Sequence, residues 1–547
     1  MLRVSILTIL AVLSVSFTVS HSARILGLFT SHSKSHLIVH MNTIRPMIER
    51  GHDVTIVTTI PVKEPNLKFR HIKLKQPDMD RSGIAQDTKG LFKTMQLMMK
   101  VSTNLLHLTN LTINDPEMQK LMREESFDLV VMGYFFNDFL IGVAGHFKCP
   151  LIINWMGSPT QHLGKLVGNP PEISYVPSLL SGLQQPMGFF DRVISYVFSA
   201  VELGLFSYVN YRMDQYYSYN FPPDKYPSYE DMKKNVSLLF VNTYLSQGYI
   251  QPNVPTIIQI GGIQIKPKPD PLPQDIKEFI DSAAETGVIY FCLGSNIGAD
   301  FLTPDFINII FKVLSGVKQN VIWKWDKDEL PGESPNILYK KWLPQDDILA
   351  HPNLKLFITH AGGGGVAEAQ YHGVPMVAIP FFADQFSNAN KLQKAGHGIV
   401  VDKGTLTEDL FRKAVLEVLE NTTYTDSVKT FSRIFRDRPL SARDTAAYWM
   451  EYVLRHKGAK HLQSPAIHMN AIQYYGLDVI AFLIGVAYVV CKESVAHTIP
   501  DGEEKALIRR IDNTVLQNIT RRSDLPTNAE RVMQAICGTR EKVSAFT

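Results

Sequence analysis

Residues 354–379, LKLFITHAGGGGVAEAQYHGVPMVAI, decide the fold. Leu354–Thr359 is a short apolar run typical of a buried parallel strand, and 374–379 is a second run of this kind. Between them, the glycines at 362–365 open a helix-forming stretch that ends at Gly373. A strand, a glycine turn, a helix and a further strand make a βαβ unit, so the chain is predicted to be α/β with parallel sheets.

The same pattern occurs near the N-terminus. An apolar strand at 24–30, a stripe of apolar residues at helical spacing over 37–48 and a strand at 54–58 follow one another. Between the two sets of strands, residues 266–275 (KPKPDPLPQD) hold four prolines, which is typical of a linker. The sequence therefore predicts two α/β halves with a cleft between them.

An apolar segment lies near each end of the chain. Arg3 precedes an apolar run at 4–19 and small polar residues at 20–23, which predicts a secretory signal; a buried strand or helix is the alternative. Near the other end, 474–491 has 18 residues with Asp478 as its one charge. This length is at the short edge of what crosses a hydrocarbon core about 30 Å thick, and a buried helix is again the alternative. We expect a single-pass type I protein of the endoplasmic reticulum membrane with its bulk in the lumen.

The composition excludes several classes of protein. The 547 residues include 55 Lys and Arg against 52 Asp and Glu, so a net charge of +3 gives no reason to expect nucleic-acid binding. Four cysteines are too few for a disulfide scaffold, and 45% hydrophobic residues exclude wholesale disorder.

The glycine turn is a candidate anion site. Glycines let the backbone approach a ligand closely, and the first N–H groups of the following helix are unpaired at its positive end. His360 adds a donor beside the turn, and Glu368 can accept from sugar hydroxyls one turn into the helix. A tight structural turn is the alternative for a glycine run taken alone. The glycines are Gly362, Gly363, Gly364 and Gly365.

Residues on either side of this turn complete a predicted nucleotide-sugar site. Trp342 offers a flat aromatic face, and Gln345 offers an amide that can read both donor and acceptor edges of a base. Downstream, Asp384 and Gln385 follow a strand end, which places a carboxylate and an amide in the same cleft. An aromatic face for a base, an anion site for a diphosphate and polar side chains for sugar hydroxyls follow one another in this order. This order is the one expected of a site for a nucleotide sugar.

This stretch, 342–385, resembles the signature of the UDP-glycosyltransferases, a family that joins sugars to small lipophilic molecules. The resemblance covers about 24–491 and is closest to animal members of the family. Among these, we expect the invertebrate members to be the most similar. It implies two facing Rossmann-like domains in the GT-B arrangement, no metal, no cofactor beyond the UDP-sugar co-substrate, and inversion at the anomeric carbon. Further matching segments are Ser35-His36, 50–53 (RGHD), Gly261-Gly262, 293–295 (LGS), 457–462 (KGAKHL) and 477–480 (LDVI). The predicted division is a signal peptide at 1–22, an acceptor domain at 23–250, a linker at 251–275, a UDP-sugar domain at 276–465, a transmembrane helix at 474–491 and a polar tail at 492–547.

The resemblance also implies roles for the donor-site residues. Trp342 would stack on uracil, and Gln345 would contact the base or the ribose. Glu368 would hold the ribose hydroxyls, and His360 would bind the diphosphate with Ser295 nearby. The residues implied to bind the hexose hydroxyls are Asp384 and Gln385.

His36 is the predicted general base. It stands at the start of a helix, after Ser35 as the predicted N-cap, and a positive helix end keeps an imidazole neutral. The family usually pairs this histidine with an acidic residue six positions after the Phe of a Phe-Asp strand; counted from Phe127, that position is Gly133. Asp138 is the nearest carboxylate, and we predict that it takes the partner role.

We therefore expect an inverting UDP-dependent hexosyltransferase, with glucose as the expected sugar, that acts on hydroxyls of small lipophilic acceptors in detoxification. The alternative is a non-catalytic protein that binds a UDP-sugar and a lipophile and has lost the acidic partner of the base. A homo-oligomer is left open. Residues 187–221 carry eleven aromatic side chains, which favours an aromatic core helix first and a pocket lining or membrane contact second.

Overall fold

Two parallel β-sheets carry the fold in the computed structural model, which describes residues 22–62, 64–77, 91–178, 181–245 and 247–498. The predicted signal peptide, apart from Ser22, and the tail beyond Thr498 lie outside the described residues. The first sheet has seven strands in the order β3-β2-β1-β4-β5-β6-β7, and the second has six in the order β10-β9-β8-β11-β12-β13.

The strands of the first sheet are β1 (Arg24–Phe29), β2 (Asp53–Thr58), β3 (Arg70–Lys73), β4 (Leu129–Gly133), β5 (Leu151–Trp155), β6 (Val236–Val241) and β7 (Ile257–Gln259). Those of the second are β8 (Val288–Cys292), β9 (Asn320–Lys324), β10 (Ile337–Lys340), β11 (Leu354–Thr359), β12 (Met376–Ala378) and β13 (Gly398–Val400). The helices that precede β7 are α1 (Lys34–Glu49), α2 (Leu91–Asn114), α3 (Pro116–Glu124), α4 (Ile141–Phe147), α5 (Gln161–Leu166), α6 (Phe189–Asn220) and α7 (Tyr229–Lys233). The later helices are α8 (Gln274–Asp281), α9 (Pro304–Ser315), α10 (Gln345–Leu349), α11 (Gly363–His372), α12 (Gln385–Lys394), α13 (Glu408–Glu420), α14 (Thr422–Arg436), α15 (Ala442–His456), α16 (Ala471–Tyr474) and α17 (Leu477–Thr498).

The strand order of each sheet locates its binding crevice. The central strands are runs of apolar residues buried on both faces, as all five residues of β4 and of β8 show. The order of the strands reverses between β1 and β4 in the first sheet and between β8 and β11 in the second. Loops at the carboxyl ends of strands form a crevice at such a point, which is the usual ligand site of open α/β sheets.

The domain limits differ from the predicted ones in two places. Strand β7 lies inside the range 251–275 that the sequence predicts as linker, and it pairs in parallel with β6 of the first sheet. Helix α15 falls in the predicted second domain, 276–465, yet Ala446 and Met450 lie in the same apolar core as Ile44 of α1. The chain therefore returns to the first domain after completing the second one.

Helix α6 packs on the core as the sequence predicts, but Tyr217 is the one aromatic side chain of this helix that is buried, whereas Phe198 and Phe206 line the cleft. Leu205, Val209, Met213 and Tyr217 on one face are buried, and the last three belong to the core of the first domain. Within the described residues it is also the one helix that is long and apolar enough to cross a membrane, by length and composition alone. Packing against the first domain accounts for the apolar side chains on one face, whereas Phe189, Tyr196 and Leu203 are exposed.

The predicted transmembrane segment, 474–491, falls mainly on α17. Nearly all its apolar side chains are exposed, and Phe482, for example, has 69% of its surface accessible. The apolar part of this helix, Leu477–Cys491, is shorter than the length that an unambiguous span requires. The membrane crossing stays a prediction.

Candidate active site

The carboxyl ends of the two sheets face one cleft of about 2180 Å³. This volume exceeds the roughly 300–1,000 Å³ of a site for one small ligand, so two substrates fit side by side. Of the predicted catalytic residues, His36 lines the cleft and Asp138 does not. The predicted donor-site residues that line it are Ser295, Trp342, Gln345, His360, Gly362, Gly363, Gly364, Gly365, Glu368, Asp384 and Gln385.

The glycine turn joins β11 directly to α11. Gly362 is the N-cap and has no side chain to occupy the first N–H groups of the helix, which therefore remain available to an anion. A Cβ atom on Gly362 would stand 2.4 Å from Nε2 of His360, so the turn has no room for a side chain there. The preceding Ala361 has a left-handed φ of 62°, an uncommon conformation for a residue other than glycine. The turn thus presents bare backbone to the cleft.

Two buried polar atoms beside the turn lack hydrogen-bond partners among the described residues. They are Nδ1 of His360 and Oγ of Ser295. Burial, reinforced by the nearby Lys324, lowers the pKa of His360 to about 4, so its ring is neutral at physiological pH. Buried polar atoms are costly unless they are paired. A diphosphate seated on the turn fits this arrangement, with His360 and Ser295 at its side.

The predicted nucleoside contacts lie together. Nε2 of Gln345 donates to Oε2 of Glu368 over 2.7 Å. This hydrogen bond connects the residue predicted to contact the base with the residue predicted to contact the ribose. Burial, with a further contribution from Asp346, raises the pKa of Glu368 to about 8. Trp342 is 54% exposed, and Nζ of Lys34 lies 5.3 Å from the centre of its ring. Because Lys34 belongs to the first domain, this contact crosses the cleft.

The predicted hexose contacts are oriented by their neighbours. Oε1 of Gln385 accepts from the backbone N–H groups of Phe381 and Phe382, so its amide nitrogen is the part left to contact a ligand. Burial raises the pKa of Asp384, whose Oδ2 accepts from Nδ2 of Asn388 over 2.8 Å.

Sequence reasoning missed Lys391 in this part of the cleft. Its ammonium lies 3.8 Å from the centre of the Tyr249 ring, and burial lowers its pKa to about 8. Its position on α12, two turns after Asp384, is the feature of the sequence that could have indicated it.

His36 lies at the third position of α1. The helix begins at Lys34 with Ser33 as its N-cap, so the N-cap prediction for Ser35 is wrong by two residues. Nδ1 of His36 lies 2.9 Å from Oγ of Ser31. Oγ of Ser33 lies 3.3 Å from the side chain of Asn296 in the second domain. The predicted base therefore stands where the two domains meet.

Asp138 contacts a different histidine. Its carboxylate is buried, and its Oδ1 lies 3.3 Å from Nε2 of His162. Gly133, the usual site of the acidic partner, has no room for a side chain, because a Cβ there would stand 2.6 Å from Nε2 of the buried His40. His162 was missed by sequence reasoning; its only signal was its position after the carboxyl end of β5.

Comparison with known proteins shows the family of this chain. A family model described as "UDP-glucoronosyl and UDP-glucosyl transferase" matches residues 11–498. UDP-glucosyltransferase 2 of Dactylopius coccus is 34% identical over 90% of this chain and 97% of its own length. UDP-glucuronosyltransferase 2B17 of Rattus norvegicus is 30% identical over 83% of this chain and 89% of its own length. The chain belongs to the UDP-glycosyltransferase family.

The fold of this UDP-glycosyltransferase is the GT-B arrangement. A UDP-glucosyltransferase from Polygonum tinctorium aligns with a TM-score of 0.55 over 80% of this chain and 100% of that one, at 15% identity. The glycotransferase of kitacinnamycin aligns with a TM-score of 0.53 over 79% and 99%, at 18% identity. The described residues of the transferase contain no cluster of three or more His, Cys, Asp or Glu side chains that could hold a metal ion.

Proposed function

We propose that this UDP-glycosyltransferase transfers glucose from UDP-glucose to a hydroxyl of a small lipophilic acceptor, with inversion at the anomeric carbon. The observation that carries this proposal is the position of His36. It lines the same cleft as the predicted UDP-sugar contacts and stands beside the Ser33–Asn296 contact between the domains. A hydroxyl bound in front of His36 is therefore close to a sugar bound by the second domain.

In the proposed reaction, His36 takes the proton of the acceptor hydroxyl. The oxygen forms a bond to the anomeric carbon, and the bond from that carbon to the β-phosphate oxygen breaks, so that UDP leaves with the electron pair. A tautomer with the proton on Nδ1, donated to Oγ of Ser31, leaves Nε2 as the base. The unpaired N–H groups at the start of α11 stabilise the negative charge on the departing diphosphate.

A donor-by-acceptor screen on the microsomal protein tests this proposal. UDP-glucose and UDP-glucuronate are each offered with a panel of phenols, and both the glycoside and the released UDP are measured. We expect glucoside formation with the β-configuration. A preference for UDP-glucuronate would contradict the donor assignment, and retention of configuration would contradict the direct displacement.

The second candidate is a non-catalytic protein that binds a UDP-sugar and a lipophile. The observation in its favour is that Gly133 leaves the usual acidic position empty while Asp138 is engaged by His162. Calorimetry would then show UDP binding, but no glycoside would form with any acceptor of the panel. Transfer to a single phenol at a catalytic rate would exclude it.

We also propose that the transferase is anchored as a type I protein of the endoplasmic reticulum membrane, with α17 crossing the bilayer. The support is the exposed apolar surface of α17, which no described residue covers. Asn235 is an exposed sequon in the first domain, whereas Asn518 lies beyond α17 and outside the described residues. Glycosidase mapping should find a glycan on Asn235 and none on Asn518; a glycan on Asn518 would contradict the crossing.

A further inference from the structure

The loop after β4 is held in a strained conformation. Phe136 has a φ of 52°, in the left-handed region that residues other than glycine seldom adopt. The buried Asn137 fixes this turn: its Oδ1 accepts from the N–H of Phe135 over 2.9 Å, and its Nδ2 donates to the carbonyl of Gly133 over 2.8 Å. Strain that is held by buried hydrogen bonds tends to mark a functional position. Here it aims two phenylalanine rings into the cleft.

These two rings belong to an aromatic row with a histidine at each end. His36 meets Phe135 edge-on at 4.8 Å between ring centres, and Phe135 meets Phe136 at 5.5 Å. Phe136 stacks on Phe206 of α6 at 6.1 Å, and Phe206 stacks on His162 at 4.5 Å. All five rings line the cleft. This aromatic row gives the acceptor side of the cleft an apolar lining that suits an aromatic molecule.

The sheet order separates the two histidines. Strands β1, β4 and β5 are neighbours in that order, and the loops after them lead to His36, the phenylalanine pair and His162 in turn. Because adjacent strands lie about 4.8 Å apart, the loops after β1 and β5 are about 10 Å apart. His36 stands near the second domain, as the Ser33–Asn296 contact shows. His162 is therefore at the end of the aromatic row that is farther from the second domain.

Asp138 sets the state of the His162 ring. A carboxylate oxygen can only accept, so Nε2 of His162 donates to Oδ1 of Asp138 and Nδ1 is left as an acceptor. Within the described residues, Nδ1 of His162 has no hydrogen-bond partner, although its ring lines the cleft.

We propose that His162, positioned by Asp138, is a specificity-determining residue that accepts a hydrogen bond from the far end of a planar aromatic acceptor. The inference rests on the proposed function, since the reacting hydroxyl lies at His36. The favoured acceptors are rigid aromatic molecules that carry one hydroxyl at each end. Asp138 then serves acceptor recognition rather than the chemistry at His36.

Two acceptors of similar size and shape test the inference: 4,4′-dihydroxybiphenyl, and 4-hydroxy-4′-methylbiphenyl, which lacks the second donor. After correction for the factor of two that comes from its two equivalent hydroxyls, the diol should show a KM about two- to tenfold lower with the wild-type enzyme, the range of one hydrogen bond. His162→Phe should remove this preference with little change in kcat. His162→Gln keeps an acceptor and should restore part of it. Asp138→Asn should reduce the preference, again with little change in kcat.

The outcomes separate the inference from the proposed function. If the wild type transfers to both biphenyls with equal KM, or if His162→Phe keeps the preference, the inference is wrong and the transferase activity stands.

If no transfer occurs, binding of both biphenyls is measured by calorimetry on the UDP-bound protein. A preference for the diol that His162→Phe abolishes would then support the inference while the proposed function fails; equal binding, or none, would contradict it. A loss of kcat in Asp138→Asn with both acceptors would assign Asp138 to His36 instead. UDP affinity serves as the folding control for each variant.

Discussion

The two sides of the cleft differ in how their residues are distributed along the chain. The UDP-sugar side draws almost entirely on one stretch, 342–385, with Ser295 as its distant member. The predicted acceptor side is assembled from the loops after β1, β4 and β5 and from α6, which are spread along the chain between Phe29 and Asn220. Contiguous residues form a motif that can be recognised in the sequence, whereas an assembled surface depends on strand order. The predicted donor site can therefore be recognised from the sequence, whereas the predicted acceptor site can be recognised only from the structure.

The largest expected effect separates chemistry from donor binding. His36→Ala should lower kcat about 10²- to 10⁴-fold, the range usually lost with a general base, because no other group is expected to take the hydroxyl proton. UDP affinity should stay unchanged, since the predicted UDP contacts belong to the second domain. Turnover and calorimetry on the same preparation measure the two quantities. Undiminished turnover would remove His36 from the mechanism, and weaker UDP binding would show that the two sides of the cleft are coupled.

A matched pair of glycine substitutions tests the donor side alone. A Cβ on Gly362 would stand 2.4 Å from His360, whereas the nearest atom to a Cβ on Gly364 is Nε2 of Gln264 at 3.9 Å, an ordinary contact. Gly362 has a φ of −63°, so its substitution by Ala brings the collision without backbone strain. Gly362→Ala should weaken UDP binding about ten- to a hundredfold through the displaced His360, the range of a hydrogen bond to a charged group.

The control for this pair is Gly364→Ala, which should leave UDP affinity nearly unchanged. Equal losses in both variants would mean that the phosphates need bare backbone along the whole turn rather than an undisturbed His360. The measurement is UDP affinity by calorimetry, with thermal unfolding to exclude a general loss of stability.

The sequence predicts the central strands well for a physical reason. Strands such as β1, β8 and β11 are apolar on both faces, so their runs of hydrophobic residues stand out. The edge strands β3, β7, β10 and β13 have only three or four residues each, which is too short to show a pattern. The six-residue strand β6 was also missed, although it is buried throughout.

The partner of Asp138 escaped sequence reasoning because distance along the chain is a poor guide to contact. Asp138 precedes His162 by 24 residues, and the two meet only because β5 lies beside β4 in the sheet. The absence of an acid at Gly133 was visible in the sequence, but its reason was not. His40, buried and with its pKa lowered to about 3 by that burial, occupies the space that a side chain there would need.

The pH dependence of donor binding should follow Glu368. Its pKa is raised to about 8 by burial and by Asp346, so at pH 7 the free protein holds it mainly protonated. Accepting hydrogen bonds from the ribose hydroxyls favours the carboxylate, so UDP affinity should rise about tenfold per pH unit below pH 8 and level off above it. Glu368→Gln cannot titrate and should show only the dependence that comes from the phosphates of UDP. A slope in this variant as steep as that of the wild type between pH 7 and pH 8 would contradict the assignment.

The smallest effect expected is at Ser31, which we propose orients the ring of His36. Ser31→Ala removes the hydroxyl that lies 2.9 Å from Nδ1 of His36 and should lower kcat about two- to tenfold, the range of one neutral hydrogen bond. Ser35→Ala is the matched control, because Oγ of Ser35 contacts Ser33 at 3.0 Å rather than the histidine. A neutral partner cannot stabilise the imidazolium electrostatically, so the loss should be far below that of His36→Ala. If Ser31→Ala instead lowers kcat as much as His36→Ala does, the serine does more than orient the ring. The tautomer that makes His36 a base would then require the Ser31 hydroxyl.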